Sequence, residues 1–131
     1  MRAMTGGSRL CLILRALVEL ALYDVSHAGL GFQRTMRLLA PPKVGASERA
    51  DLEARICAAV QLATSLYFKR VRCLQRSFCT TRLLRAYGIP ARLVIGYRPV
   101  PFFSHAWVEV GTRAVEDGAS YRERLRILYT A

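Results

Sequence analysis

RCLQRSFCTTRLLRAYGIPARLVIGY, residues Arg72 to Tyr97, writes a helix, a turn and a strand in one run. Leu74, Phe78, Thr81 and Leu84 or Arg85 recur every three to four residues, which predicts an amphipathic helix starting at Cys73. Ser77, Cys79, Thr80 and Thr81 are small enough to let that helix approach a sheet closely. Gly88 suits the left-handed residue that ends a helix, and Pro90 bars its continuation. The run Ala91 to Tyr97 is β-type. Downstream, Ser104–Val110 reads as a second strand beyond a proline-broken loop, Arg98 to Phe103, and Gly111-Thr112 marks a turn into a partner strand, Arg113 to Glu116. Beyond Asp117, Gly118-Ala119-Ser120 reads as a loop, and Tyr121 to Tyr129 is a short final element of no clear type.

Working back toward the N-terminus, the chain is helical. Leu10, Ile13, Leu14, Leu17, Val18, Ala21 and Leu22 recur at helical spacing and predict a buried face, with Arg15 and Glu19 paired on the other side. That helix ends near Asp24-Val25-Ser26. His27–Gly31 reads as a connection in which His27 is a loop residue, and a short helix follows to Leu39, stopped by Pro41-Pro42. Ser47 is placed to cap a long helix that buries Leu52, Ile56, Ala59, Val60 and Ala63, with Glu48 and Asp51 in its first turn. The expectation is one α+β domain over residues 1–131. Residues 1–70 form a helical part and 71–131 a core with a small antiparallel sheet.

Composition narrows the function. Half the residues are hydrophobic (53%), too many for a disordered chain. The net charge of +11 is carried almost wholly by arginine, and nine basic residues but no acidic one lie between Glu53 and Glu109. Such a field attracts acidic partners. The arginines are scattered among apolar residues without a basic motif or paired stacking aromatics, which makes nucleic-acid binding the weakest reading. Cys11, Cys57, Cys73 and Cys79 make no C-x-x-C pair, and two histidines leave little for zinc. Arg15 and Glu19 interrupt the N-terminal apolar run, which falls short of a membrane span or a secretory signal. The expected setting is the cytoplasm, with free thiols and no cofactor in the chain.

Cys73 is the candidate nucleophile. Unpaired backbone N–H groups at a helix start favour a thiolate, and Arg72 and Arg76 add positive charge beside it. Cys11, Cys57 and Cys79 read as small buried hydrophobes. His105, Trp107 and Glu109 share one face of their strand, so His105 is placed to act as base, with Asp117 holding its tautomer. His105 and Asp117 stand an even number of positions apart. They share a face of an antiparallel hairpin only if the loop between the strands has an odd number of residues or a bulge intervenes. An odd loop or bulge is therefore expected; a two-residue turn shifts the orienting role to Glu116 or Glu109. On the residues alone, this Cys–His–acid enzyme and a plain α+β binding domain stand level.

The segments Cys73-Leu-Gln-Arg-Ser77, Leu83-Leu-Arg-x-x-Gly88-Ile-Pro-Ala-Arg-Leu-Val-Ile-Gly96, Pro101-Phe and Ser104-His-Ala-Trp-Val-Glu109 resemble the transglutaminase-like leader peptidases of lasso-peptide biosynthesis, the microcin-processing family. The resemblance runs from about Cys73 to Leu128. It departs from the family before the cysteine, where Phe68-Lys69-Arg70-Val71-Arg72 replaces the usual Pro-Trp. It implies a transglutaminase- or papain-like cysteine peptidase core with Cys73 as nucleophile, His105 as base and Asp117 as orienter. It also implies cleavage of a ribosomal lasso precursor at the end of its leader, before a separate ATP-dependent cyclase closes the macrolactam. The stand-alone type it resembles relies on a small separate leader-recognition protein. Trp107 and Glu109 are candidate substrate contacts, against packing and pairing with an arginine. A catalytically idle scaffold that docks precursor and cyclase is the alternative within the same fold.

Overall fold

A computed structural model of the chain describes residues 6–39, 50–110, 113–115 and 125–130. Three helices, α1 (Gly6–Arg37), α2 (Ala50–Leu66) and α3 (Cys73–Ala86), precede β1 (Ala91–Pro99), β2 (Phe102–Val110), β3 (Arg113–Val115) and β4 (Arg126–Thr130). The strands form one sheet in the order β3-β2-β1-β4, and every described pairing is antiparallel. The fold is α+β, as the sequence indicates.

The helix–turn–strand unit folds as its residues dictate. α3 begins at Cys73, Gly88 takes the left-handed φ of 85°, and the N–H of Ile89 closes on the carbonyl of Leu84. Phe78, Cys79, Leu83 and Leu84 are fully buried. Phe78 packs with Leu93 of β1, and Leu83 and Leu84 pack with Val108 and Val110 of β2. Because Leu93 pairs with Val108, these residues share the sheet face covered by α3. β1 and β2 run further than expected. Pro99 pairs with Phe102, so only Val100 and Pro101, joined by a cis peptide, make the turn in place of the anticipated longer loop.

The N-terminal part departs more. Residues 27–30 continue α1 instead of forming a connection, and the chain leaves helical geometry at Gly31 (φ 83°). The buried side of α1 is also different. Leu12, Ala16, Leu20 and Tyr23 enter the core, whereas Leu10, Leu14 and Val18, expected inside, are exposed. A stripe through residues 12, 16, 20 and 23 is as helical as one through 10, 14, 18 and 21. α1 is apolar on more than one side, and the partners decide which side is buried. Glu19 is accordingly buried and pairs with Arg82 of α3, not with Arg15. Cys11 is exposed, against expectation, while Cys57 and Cys79 are buried. In α2 the expected Leu52, Ile56, Ala59, Val60 and Ala63 are all buried. The anticipated cap at Ser47 lies outside the described residues.

Candidate active site around Cys73

Cys73 is the first residue of α3 and is partly exposed. Arg72 precedes it in extended conformation without a side-chain cap, and the helix ladder starts with Arg76 N–H on the Arg72 carbonyl at 3.0 Å. No acidic residue stands in the first turn. An uncapped helix start of this kind presents N–H groups and the positive end of the helix dipole to negative charge.

What fixes this helix start in place was not legible in the sequence. Gln75, buried in the first turn, donates from Nε2 to the carbonyl of Leu20 in α1 at 2.9 Å. The segment leading to Cys73 is held by Asp24 of α1, which receives Tyr67 Oη–H at 2.5 Å and ion-pairs with Lys69 at 2.6 Å. Burial pushes the Asp24 carboxyl upward, but hydrogen bonds from Lys69, Tyr67 and Gln75, and the lysine charge, outweigh it and hold the group below its usual range. Burial and the Asp24 carboxylate together push the Tyr67 hydroxyl up to about 12. Tyr23, stacked on His27 (5.4 Å between ring centres) and edge-on to Phe78 (5.2 Å), completes the surroundings. Its hydroxyl is raised by burial, then by the negative charges of Asp24 and of Cys73 as thiolate. Thus Tyr23, Asp24, Tyr67, Lys69 and Gln75 surround and secure the start of α3 at Cys73. They are spread over more than fifty residues, and no local pattern marks them. Deeper in α3, Arg82 binds Glu19 and the Leu38 carbonyl and lies over the Phe78 ring.

His105 sits on β2 opposite Gly96 and is partly buried. Its ring stacks near Phe103 (6.3 Å) and Trp107 (6.2 Å). The pairing register puts it on the sheet face of Val94 and Trp107, which cluster with Leu125, and α3 covers the other face. By this register His105 belongs to the sheet face opposite the one that α3, with Cys73 at its start, covers. β3 pairs only with Val108–Val110, so the part of β2 that carries His105 has no outer neighbour strand among the described residues.

Trp107 and Glu109 do share the His105 face, but that face is not open. Trp107 is 1% exposed and packs on Val94 and Leu125; Glu109 is buried as well. Glu109 accepts the Trp107 indole N–H at 2.9 Å and meets Arg92 at 3.5 Å, the packing and pairing side of the expectation. Close to them, Gly96 admits the indole: a Cβ there meets its ring at 2.8 Å.

The hairpin expectation is corrected over the described pairs. Val110 pairs with Arg113, Glu109 with Ala114 and Val108 with Val115, which leaves two residues between the strands and no bulge. Asp117 and Glu116 lie outside the described residues. Among the described residues, no three His, Cys, Asp or Glu side chains cluster as metal ligands, and no helix is long and apolar enough to cross a membrane.

Comparison with known proteins adds two findings. The family model described as the transglutaminase-like superfamily matches residues 16–130, which extends the relationship into the N-terminal helices. The chain is also 43% identical over 56 residues to the microcin J25-processing protein McjB of Escherichia coli, a stretch that is 43% of this chain and 27% of that protein. The matched part is thus about a quarter of the curated relative. No solved structure matches the chain.

Proposed function

The chain belongs to the transglutaminase-like superfamily, and on that premise we propose that it is a cytoplasmic cysteine peptidase that removes the leader from a ribosomally made lasso-peptide precursor. The 43% identity to a microcin-processing protein carries the substrate class. The position of Cys73 on an uncapped helix start supports the chemistry.

In this reading His105 takes the thiol proton of Cys73 and the sulfur attacks the last leader carbonyl. The proton passes to the departing amine of the core peptide, and water hydrolyses the thioester to free the leader acid. First-turn N–H groups of α3, that of Cys73 among them, receive the oxyanion. An acid of the Glu116–Asp117 pair orients the imidazole: Asp117 by resemblance, Glu116 by the parity of the hairpin register. The imidazole reaches the sulfur past the edge of β2 that has no neighbour strand among the described residues. Precursor, a small leader-recognition protein and an ATP-dependent cyclase are the partners.

A second reading, an idle scaffold of the same fold, is favoured by the sheet face on which His105 stands. One experiment separates them. The purified chain is mixed with precursor and recognition protein, and the products are weighed by mass spectrometry. The peptidase yields free leader, loses this activity in Cys73→Ala and in His105→Ala, and keeps it in Cys79→Ala. Intact precursor after incubation of the unmutated chain with every partner leaves the scaffold standing.

A further inference from the structure

α1 is apolar on two sides, and the core takes only one. Beyond the buried row, Leu14, Val18 and Val25 stand 53%, 64% and 72% exposed, and Leu10 is exposed with them. Positions 10, 14, 18 and 25 follow the i, i+4 and i+7 steps that form one stripe on a helix. Leu10 to Val25 covers about 22 Å at the helical rise, roughly four turns. A helix apolar on both sides belongs inside an assembly.

Along one flank the stripe adjoins a recess of about 350 Å³ between α1 and α2, floored by Leu12, Ile13, Ala59 and Leu62 and rimmed by Arg9 and Arg55. Arg55 has a long 3.7 Å contact with the exposed Asp51, an i, i+4 pair worth little in water and easily exchanged. The two carboxylates of α1 are engaged elsewhere, Glu19 with Arg82 and Asp24 with Lys69. The cations that border the first turns are therefore the arginines at positions 9, 15 and 55, while residues 16–33 contain no lysine or arginine.

We propose that this stripe and its recess dock an amphipathic helix of a partner protein, with carboxylates gathered at the end that meets Arg9, Arg15 and Arg55. Apolar side chains at i, i+3, i+4 and i+7 of the partner lie along Leu10–Val25, and one of them fills the recess. The charge pattern selects against a second copy, because two chains of net charge +11 repel. It also selects against a bilayer, because a surface-lying helix needs basic residues along its length and a flat surface has nothing to put into a recess. The inference does not depend on the peptidase reading.

The test uses fluorescence anisotropy with the full chain and two labelled synthetic peptides of about 18 residues. Both carry leucines at helical spacing; one has glutamates flanking its first two turns and the other has lysines there. The expected result is binding of the glutamate peptide at least about tenfold tighter than the lysine peptide. A further loss of about tenfold is expected in Leu14→Glu/Val18→Glu, whose circular dichroism matches the unmutated chain. If the double variant fails to fold, Val18→Ser, a mild change at an exposed position, supplies the same comparison of glutamate-peptide binding. Equal binding of the two peptides overturns the proposal. So does glutamate-peptide binding unaffected in a folded stripe variant, a dimer in sedimentation velocity that the stripe variant abolishes, or stripe-dependent pelleting with phosphatidylserine vesicles without peptide binding.

Discussion

Cys73 and Cys79 lie six residues apart on one helix and differ in everything except residue type. Cys79 is buried, its Sγ 3.5 Å from the Ala16 carbonyl, in a core of leucine, isoleucine and valine. Cys73 is partly exposed at an uncapped helix start, with Gln75, Asp24 and Tyr67 fastening its surroundings to α1. The lesson is that the setting of a thiol is specified by its place along the helix and by distant side chains, not by residue type. The dry end of α3 anchors the helix to the sheet; the wet end is where chemistry is possible.

The contrast can be broken most directly at Cys73. Its alanine variant is expected to lower the rate of leader release by on the order of 10⁴ or more with unchanged thermal stability, read by mass spectrometry and calorimetry. A variant that still cleaves removes the distinction altogether. At the anchoring end, Phe78→Ala should cost about 3–5 kcal/mol of unfolding free energy in urea, because the ring is fully buried against Tyr23 of α1 and Leu93 of β1. A cost under about 1 kcal/mol, typical of a surface substitution, contradicts that packing. Tyr67→Phe should cost about 1.5–3 kcal/mol, the range for a hydrogen bond to a charged group, toward the lower end because the site is partly exposed.

The same node has a defined pH signature. Asp24 is held below its unfolded value, so its contribution is present above that value and is lost as pH falls through the folded one. Tyr67 is raised to about 12, so its contribution is present below the ordinary tyrosine range and is lost as pH rises toward 12. Tyr67→Phe should remove the alkaline limb and weaken the acid one in urea titrations, and unchanged limbs contradict the assignment. The smallest effect concerns the thiols themselves. In the native chain, iodoacetamide should label Cys73 and Cys11 at least about tenfold faster than Cys57 and Cys79, followed by peptide mapping. Equal labelling erases the wet–dry contrast within α3.

Legibility in the sequence follows how local the determinants are. α3, its glycine stop and β1 could be read because period, cap and β-branched run lie within one stretch. The α2 core was read for the same reason. The buried side of α1 could not be, since two apolar stripes compete and only the helices packed against them choose. The longer β1–β2 hairpin was missed because prolines suggest a loop, whereas Pro99 pairs at the strand end with Phe102. At the site, the helix start at Cys73 was visible, but Asp24, Tyr67 and Gln75 were not, because their partners lie 43 to 55 residues apart. Alternation alone reveals the face shared by His105, Trp107 and Glu109. Its burial is not revealed, since alternation cannot say what covers a face.

Gly96 carries a consequence that can be sought among natural chains. Its backbone lies against the indole of Trp107 and the Cβ of Leu125, and a Cβ at 96 meets them at 2.8 Å and 3.0 Å. A rigid ring cannot yield as a flexible chain end does, so positions 96 and 107 are coupled by volume. Relatives with a side chain at 96 should show a smaller residue at 107. Substituting both together should be tolerated better than the sum of the single changes, a coupling that one double-mutant cycle measures.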